Sequence, residues 1–318
     1  MKNIFTYSTA VVLGLALVAT PEADAQQFSK RKQYNSVGFS LNAMNYFGDV
    51  VPFTNFTSLR VPSTRAGVGV SLTHRFYPRL SGRFGVSYGR ISGSDEKAAD
   101  KNDPDAKFRY NRNFTFRNDI LEASAVAIFD LVENRNNYLK RPDFVPYVFA
   151  GVAGFYHNPK GLVGDKAVGL SPGSYVALAD VKTEGQSTAY GQTQFSIPFG
   201  GGIRYRINRN FDASLEIGWR KTFTDYLDDV SGKYAPAGKL TTPAQIYFGG
   251  GNPAAAGPGK GGTFPDGGGI TRSRSGEFTS FDAPGSKRGT GNKTDWYIVT
   301  GVTLNYILTP RIKNPKFR

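Results

Sequence analysis

Alternation of apolar and polar residues is clearest in the stretch from Phe195 to Lys221. In its second half, residues 211, 213, 215, 217 and 219 are apolar, and the residues between them are polar or glycine. Successive side chains of a strand point to opposite faces, so this period of two predicts a strand with one apolar and one charged face. Residues 197–207 repeat the pattern, and Asn208-Arg209-Asn210 predicts a tight hairpin between the two strands.

Six further segments are typical of strands, namely residues 36–46, 66–77, 80–90, 117–129, 146–156 and 294–306. Segment 146–156 is apolar on both parities, which leaves its facing open. No window after residue 25 shows the 3.6-residue periodicity of an amphipathic helix. The pattern therefore predicts an all-β protein with eight strands.

Long and short connections alternate between these segments. The predicted long loops cover about 47–65, 91–116, 158–194 and 222–293, and the turns between them are shorter. Outer-membrane barrels have short periplasmic turns and long extracellular loops, whereas a soluble sandwich has no reason to sort its loops in this way. We therefore expect an eight-stranded antiparallel up-and-down transmembrane β-barrel of the outer-membrane type over residues 36–307, with long extracellular loops.

Residues 1–25 are typical of a secretory signal peptide. Lys2 precedes an apolar run from Ala10 to Ala19, and Ala23-Asp24-Ala25 forms a cleavage site before Gln26. The apolar run is too short to span a bilayer as a helix. The sequence thus predicts export to the outer membrane with the signal removed, a short polar lead at 26–35, and a basic periplasmic tail at 308–318.

The amino-acid composition limits the kinds of catalytic and metal-binding site that the chain can form. The chain has no cysteine, which excludes disulfides, thiolate metal sites and thiol nucleophiles. Its two histidines, His74 and His157, lie in separate strands, so no catalytic triad or histidine metal site can be assembled. We expect no enzymatic activity, no cofactor and no small-molecule substrate, and a membrane-embedded hydrolase or acyltransferase ranks last among the hypotheses.

The formal charge of +14 points to anionic partners. Loss of residues 1–25 removes one positive and two negative charges, Lys2 against Glu22 and Asp24, and leaves +15. No nucleic-acid-binding motif is present. For an exported protein the expected partners are outer-membrane lipids and lipopolysaccharide, an acidic protein or sugar acids.

The parity of each strand assigns residues to the interior and to the lipid face. An eight-stranded barrel is just wide enough for side chains to fill, and buried charges persist only when they are paired. We therefore expect the inward charges to form an ion-pair network that plugs the lumen: Arg75, Arg83, Glu122, Arg204, Arg206, Asp212, Glu216 and Arg220. The aromatic residues expected to face lipid are Phe39, Phe76, Phe84, Tyr88, Phe129, Phe199, Tyr205, Phe211, Trp219, Trp296 and Tyr306.

Two further groups of residues are candidates for binding. Basic residues of the turn 131–145 and of the tail are the candidate periplasmic contacts: Arg135, Lys140, Arg141, Arg311, Lys313, Lys316 and Arg318. Asp225, Asp228 and Asp229 place three carboxylates within five residues at the outer mouth. Such a group suits a divalent cation, but aspartates also cap loop turns by accepting backbone N–H bonds, and we favour the second interpretation.

Several segments outside the simple alternation are specific enough to compare with known families. They are NYFGD (45–49), FRNDILE (116–122), PYVFAGV (146–152), HNPK (157–160), IPFGGGIRYRI (197–207), RKTFTDYLDDVS (220–231), RSGE (274–277) and DWY (295–297). From about residue 36 to 306 the chain resembles the PorG family, the small barrel component of the type IX secretion system of Bacteroidetes.

The resemblance implies an outer-membrane scaffold in the apparatus that exports adhesins and hydrolases and, in gliding relatives, motility proteins. Its partner would be the periplasmic ring of PorK and PorN. The alternative is a surface adhesion or envelope-stabilising barrel whose basic extracellular loops bind polyanions.

Overall fold

The computed structural model describes residues 32–51, 63–98, 109, 112–164, 169–236, 238–249, 285–291 and 294–309. The strands in these ranges are β1 (Asn35–Phe47), β2 (Arg65–Arg75), β3 (Leu80–Ser94), β4 (Thr115–Asp130), β5 (Phe144–Leu162), β6 (Tyr175–Ala177), β7 (Thr193–Arg206), β8 (Phe211–Thr222) and β9 (Trp296–Leu308). Two short helices, α1 (Asp95–Ala98) and α2 (Pro243–Gly249), and a 3₁₀ turn (Tyr138–Lys140) lie in connections. None of the helices in these ranges is long and apolar enough to cross a membrane. The predicted signal peptide lies outside the described residues.

Eight of the strands close into a ring. Each pairs antiparallel with its neighbour in the order β1, β2, β3, β4, β5, β7, β8, β9, and β9 pairs again with β1. Closure leaves no strand of the ring with an unpaired edge. The predicted eight-stranded up-and-down barrel is therefore confirmed. The short strand β6 adds to β5 outside the ring, at residues 160–162.

The connections differ in length at the two ends of the barrel. Residues 76–79, 131–143 and 207–210 link strands at one end, which we call the short-turn end. Residues 48–64, 95–114, 163–192 and 223–295 link them at the other, the long-loop end. Both chain termini of the barrel, at Asn35 and Leu308, pair with each other at the short-turn end.

The facing of β5, which the sequence leaves open, follows from its register. Tyr147, Phe149 and Phe155 are buried, whereas Val148 and Val152 on the other parity are exposed. The strand is apolar on both faces because aromatic rings, rather than charges, fill this side of the lumen. Tyr147 and Phe149 form a small interior cluster with Val126 and Ile128.

The ring of Phe149 occupies space that Gly200 and Gly218 leave open because they have no side chains. Gly200 lies opposite both Phe149 on β5 and Gly218 on β8. A Cβ atom on Gly200 would overlap the carbonyl oxygen of Ile217 and would lie 3.0 Å from the Phe149 ring. The wall of the barrel is therefore closely packed at this point.

We expect Gly200→Val to lower the stability of the folded barrel by about 1–3 kcal/mol, since its side chain overlaps the β8 backbone. The measurement is the temperature at which the detergent-solubilised protein loses its β-sheet circular dichroism. Ala150→Val, on the outward face of β5, is the matched control and should unfold at the wild-type temperature. Equal unfolding temperatures for the two variants would contradict this packing.

Candidate functional site

Charged side chains fill the lumen in layers. Nearest the short-turn end, Asp130 accepts from two arginines, Arg75 at 3.1 Å and Arg204 at 3.3 Å. Arg75 and Asp130 are 3% and 1% exposed, so this triad is removed from solvent. The triad has two cations and one carboxylate. Aromatic faces also stabilise the cations, since Arg75 lies over the ring of Tyr34 and Arg204 lies over the ring of Tyr147.

A second layer pairs Arg83 with Glu216 through both nitrogens of its fork, with Nη2–Oε2 at 3.0 Å. The hydroxyl of Tyr147 donates to Glu216 Oε1 at 2.5 Å. The third layer joins Arg220 to Glu122 at 3.4 Å, and Tyr297 donates to the same carboxylate at 2.5 Å. The tyrosine hydroxyls thus donate to carboxylate oxygens that still accept hydrogen bonds after the arginines have bound. A carboxylate is buried at low cost only when its oxygens have such donors.

The last two predicted interior charges lie at the rim of the short-turn end. Arg206 pairs with Asp143, whose side chain is 67% exposed. Asp212 pairs with Arg141 at 2.7 Å. Sequence reasoning missed Asp130, although it lies one residue beyond the predicted end of its strand and on the inward parity.

Little free volume remains in this interior. Two cavities, of about 30 and 70 Å³, lie along the lumen, and Arg83 and Glu216 line both of them. Each has room for a few water molecules at most. The described barrel is therefore a plugged structure rather than a wide channel.

The predicted aromatic residues lie on the outer face of the ring or next to it. Phe39, Phe76, Phe84, Tyr88, Phe129, Tyr205 and Tyr306 are 40–58% exposed, and Phe199, Phe211, Trp219 and Trp296 are half-buried. The half-buried rings pack on one another, with Phe199 6.0 Å from Trp219 and 6.2 Å from Trp296. Aliphatic residues such as Leu41 and Val152 are also more than 60% exposed on this face. A continuous apolar belt of this kind suits contact with lipid.

The long-loop end carries the largest apolar cluster of the described chain. Its members come from all four long connections and the strand ends below them, and they include Val50, Ile91, Phe116, Leu227 and Phe248, each at most 1% exposed. We call the described residues of these connections the loop cap. The sequence pattern gave no sign of it, because loop residues show no periodicity. The loop cap is a folded layer that closes the lumen from above.

Two buried arginines join the loops of the cap. Arg112 donates to both oxygens of Asp95 at 2.7 Å, and to the backbone carbonyls of Arg288 at 2.6 Å and Asp49 at 3.1 Å. Arg112 is 1% exposed and Asp95 is 0% exposed. Burial raises the pKa of Asp95, and Arg112 opposes that shift. This one guanidinium connects three of the four long connections.

Arg288 makes the corresponding contacts on the other side of the cap. It donates to Glu184 at 2.8 Å, to the Asp229 carboxylate at 3.3 Å and to the Phe248 carbonyl at 3.2 Å. Asp229 also accepts from Thr183 at 2.6 Å, and its backbone has a φ of 66°. Burial raises the pKa of Asp229 to about 6, against the lowering effect of Arg288.

The three aspartates of the 225–229 segment bind different partners. Asp225 accepts from the Ser231 hydroxyl at 2.8 Å, and Asp228 accepts from the backbone nitrogens of Val50 and Val230. Burial raises the pKa of Asp225 to about 7. Within the described ranges, no three aspartate, glutamate or histidine side chains are grouped so that they could hold a metal ion. The carboxylates organise loop turns instead.

The short-turn end is covered by the connection 131–143, which we call the platform turn. Arg141, expected from the sequence to be a surface contact, is instead 5% exposed, and that expectation was wrong. Its guanidinium donates to Asp212 and to the backbone carbonyls of Tyr138, Asn208 and Arg209 at 2.5–2.9 Å. It turns inward because Asp212 lies at the barrel rim and needs a cation.

Other residues of the platform turn face outward. The Arg135 side chain is 73% exposed and lies 2.8 Å from Glu133, and Lys140 is exposed. Leu131 and Leu139 are 50% and 44% exposed. The remaining candidate contacts, Arg311, Lys313, Lys316 and Arg318, lie outside the described residues.

The two histidines occupy unrelated places. His74 Nδ1 lies 2.6 Å from Asn35 Oδ1 near the short-turn end. His157 is fully buried on β5 beneath the loop cap, stacked 6.3 Å from the ring of Tyr190. No nucleophile and base are brought together around either ring in the parts of the chain that the structure describes.

We expect Arg112→Met to destabilise the protein by about 3–5 kcal/mol, because it removes the guanidinium that pairs with both oxygens of the buried Asp95 carboxylate. The measurement is thermal unfolding in detergent together with the rate of cleavage of the loops by a protease. Arg90→Met is the matched control, since the Arg90 side chain is 41% exposed in its pair with Asp119 and such pairs contribute less than about 1 kcal/mol. An Arg112→Met protein as stable as Arg90→Met would show that the buried pair does not hold the cap.

The chain is similar to other barrels of known structure, with low sequence identity to each of them. Neisserial surface protein A is 10% identical with a TM-score of 0.36, and the match covers 86% of this chain and 96% of that one. The N-terminal β-barrel domain of Pseudomonas aeruginosa OprF is 14% identical with a TM-score of 0.31, covering 86% and 99%. Ail, the attachment invasion locus protein of Yersinia pestis, solved with the heparin analogue sucrose octasulfate, is 7% identical with a TM-score of 0.33, covering 87% and 97%. The fold assignment rests on the strand pairing described above.

No curated protein matches the chain. A family model does match it, over residues 25–237, and this family is described as a domain of unknown function, DUF6089. Because that range is more than half of the sequence, the chain belongs to the DUF6089 family.

Proposed function

We propose that this protein is a non-enzymatic outer-membrane barrel that acts as an anchor or scaffold of the type IX secretion machinery and, in gliding organisms, of motility. The signal peptide expected at residues 1–25 and the apolar outer belt support placement in the outer membrane. The resemblance of residues 36–306 to PorG supports the secretion role. The observation that carries the proposal is the ordered platform turn.

A plugged barrel acts through what it presents at its two ends. Cavities of about 30 and 70 Å³ lie along the lumen, and the loop cap lies above it. Passage of a folded cargo through such a barrel is excluded by size. A scaffold, which needs a lipid-facing wall and a binding surface, requires no open lumen.

The platform turn has the properties of a binding surface. Asn137 caps its 3₁₀ turn through the backbone nitrogens of Leu139 and Lys140, and Arg141 fastens it to the β7–β8 turn. A surface held in one conformation loses little entropy on binding. It offers the exposed cations Arg135 and Lys140 beside exposed leucines, a combination that fits an acidic protein partner.

The test is binding of the purified PorK–PorN ring to the detergent-solubilised full-length protein. We expect Arg135→Glu with Lys140→Glu to weaken binding about tenfold or more, because charge reversal sets like charges against an acidic partner. Lys233→Glu with Lys287→Glu, the same charge change at the long-loop end, is the matched control and should bind normally.

Equal binding by both double variants would remove the platform turn as the contact. The secretion role is tested separately, by deleting the gene and measuring the release of type IX cargo proteins. Normal release, and normal gliding where the organism glides, would exclude that role and leave only an outer-membrane scaffold of another kind.

A second candidate function is a surface barrel that binds polyanions through its outer loops. Lys233 and Lys287 lie opposite each other in an isolated antiparallel bridge, and both are exposed. Directly opposed residues have their side chains on the same face about 5 Å apart. A phosphate or sulfate group bound between them would be attracted by both ammonium groups.

For this function we expect Lys233→Glu with Lys287→Glu to reduce binding to lipopolysaccharide vesicles about tenfold at low salt, with a smaller difference at high salt. Binding is measured by flotation of the protein with the vesicles. Arg135→Glu with Lys140→Glu is now the control. A loss shared by both variants would indicate a general charge effect and would exclude a dedicated site at the lysine pair.

A further inference from the structure

The hydroxyl of Tyr46 lies between two buried carboxylates. Its oxygen is 2.6 Å from Asp228 Oδ2 and 3.1 Å from Asp295 Oδ1. Tyr46 is 1% exposed and both aspartates are 0% exposed. Gly48 lies directly against the group, and a Cβ atom on it would overlap both the hydroxyl and Asp295 Oδ1. Water is therefore kept out of this group.

The other bonds of the two carboxylates come from backbone nitrogens. Asp228 accepts from Val50 N at 3.1 Å and from Val230 N at 2.9 Å, and Asp295 Oδ2 accepts from Leu227 N at 2.9 Å. Neither carboxylate forms an ion pair with a cation in the described part of the chain. Tyr46 is thus the partner of Asp295 Oδ1.

Most charged groups that face the pair are acidic. Asp49 in the β1–β2 connection and Asp225 in the β8–β9 connection add negative charge. Arg112 from the β3–β4 connection is the cation that faces Asp228, but its fork is already bound to Asp95. Burial and the charge of the neighbouring carboxylates favour the neutral form of one aspartate, and they oppose the backbone donors, which favour the charged form.

The Tyr46 hydroxyl has one hydrogen for two contacts, and this number decides which group donates in each contact. A tyrosine hydroxyl donates one hydrogen, and the shorter contact assigns it to Asp228 Oδ2. The second contact, between the hydroxyl oxygen and Asp295 Oδ1, needs a hydrogen from Asp295. We infer that Tyr46, Asp228 and Asp295 form a proton-binding site in which Asp295 carries the proton, donates it to Tyr46, and Tyr46 donates to Asp228.

The shifts expected of these groups agree with the geometry. Burial raises the pKa of Asp295 well above its ordinary value, and the negative charge of Asp228 raises it further. Burial likewise raises the pKa of Asp228, with Asp49 adding to the shift. The two aspartates titrate as a pair that holds one proton between them.

Proton binding closes the cap over the barrel. Tyr46 is the second-last residue of β1, and Val50 belongs to the β1–β2 connection. Asp228 belongs to the β8–β9 connection, and Asp295 directly precedes β9. The site therefore fastens the first loop to the last, over sequence separations of 182 and 249 residues. Loss of the proton sets two charged carboxylates against one hydroxyl and drives these loops apart. This inference rests on the fold alone and is independent of the proposed function.

The direction of the pH dependence follows from the raised pKa. The folded protein binds the proton more tightly than the unfolded chain, whose aspartates have a pKa near 3.9. The site's contribution to stability is therefore full below about pH 4 and is lost progressively as the pH rises towards the folded pKa. The loop cap is expected to be most stable in acid and to loosen in alkali.

The experiment follows thermal unfolding of the full-length protein in detergent between pH 4 and 10. We expect Asp295→Asn to match wild type at pH 4 and to exceed it increasingly above pH 5, since the amide donates to Tyr46 without titrating. The difference should grow by about 2–4 °C for each pH unit within the titration range. Asp228→Asn should be less stable at every pH, because the amide NH₂ would face the backbone N–H of Val50 or of Val230, whichever oxygen it replaces.

Three outcomes would overturn the inference. One is an Asp295→Asn protein that keeps the wild-type dependence on pH. Another is equal behaviour of Asp295→Asn and Asp228→Asn, which would place no directed proton at the site. The third is a fall in wild-type stability on adding a chelator, which would identify a divalent cation rather than a proton as the occupant. Asp143→Asn, an exposed aspartate at the opposite end, is the control for a general charge effect.

Discussion

Closure of the sheet is the constraint on which the rest of this structure depends. Once β9 pairs with β1, eight strands enclose a space no wider than the side chains that fill it. Every charge that the alternation sends inward must then find a partner inside. Asp130 with two arginines, and Glu122 and Glu216 each with an arginine and a tyrosine, are that solution. The same ion pairs that stabilise the lumen also fill the space that a wide channel would need.

Because side chains fill the lumen, the barrel presents its polar surfaces at its two ends. The two ends are built differently. The long-loop end is a second folded layer with its own apolar core, held by Arg112 and Arg288. The short-turn end has three turns, and Arg141 joins the longest of them, the platform turn, to the β7–β8 turn. The described residues of both ends therefore present defined surfaces. A partner of the kind proposed above would meet a prepared conformation at either end.

Buried arginines recur in both layers because each guanidinium has five donors in a fixed plane. Arg112, Arg141 and Arg288 each bind backbone carbonyls from a segment distant in sequence while also pairing with a carboxylate. A lysine, with its single ammonium, does not make several such bonds in different directions. The acidic surplus around Tyr46 is the exception in the cap, and there a proton takes the place of the missing cation.

The sequence by itself determined the barrel. Strand geometry is local, so alternation at 211–219 and its counterparts assigned each residue to a face, and loop length assigned each connection to an end. The sequence did not determine which residues contact one another inside the folded chain. The facing of β5, the inward turn of Arg141 and the contact of Tyr46 with Asp295 depend on which strands meet after closure. Residues brought together across as many as 249 positions leave no periodic trace in the chain, and only the tertiary structure decided them.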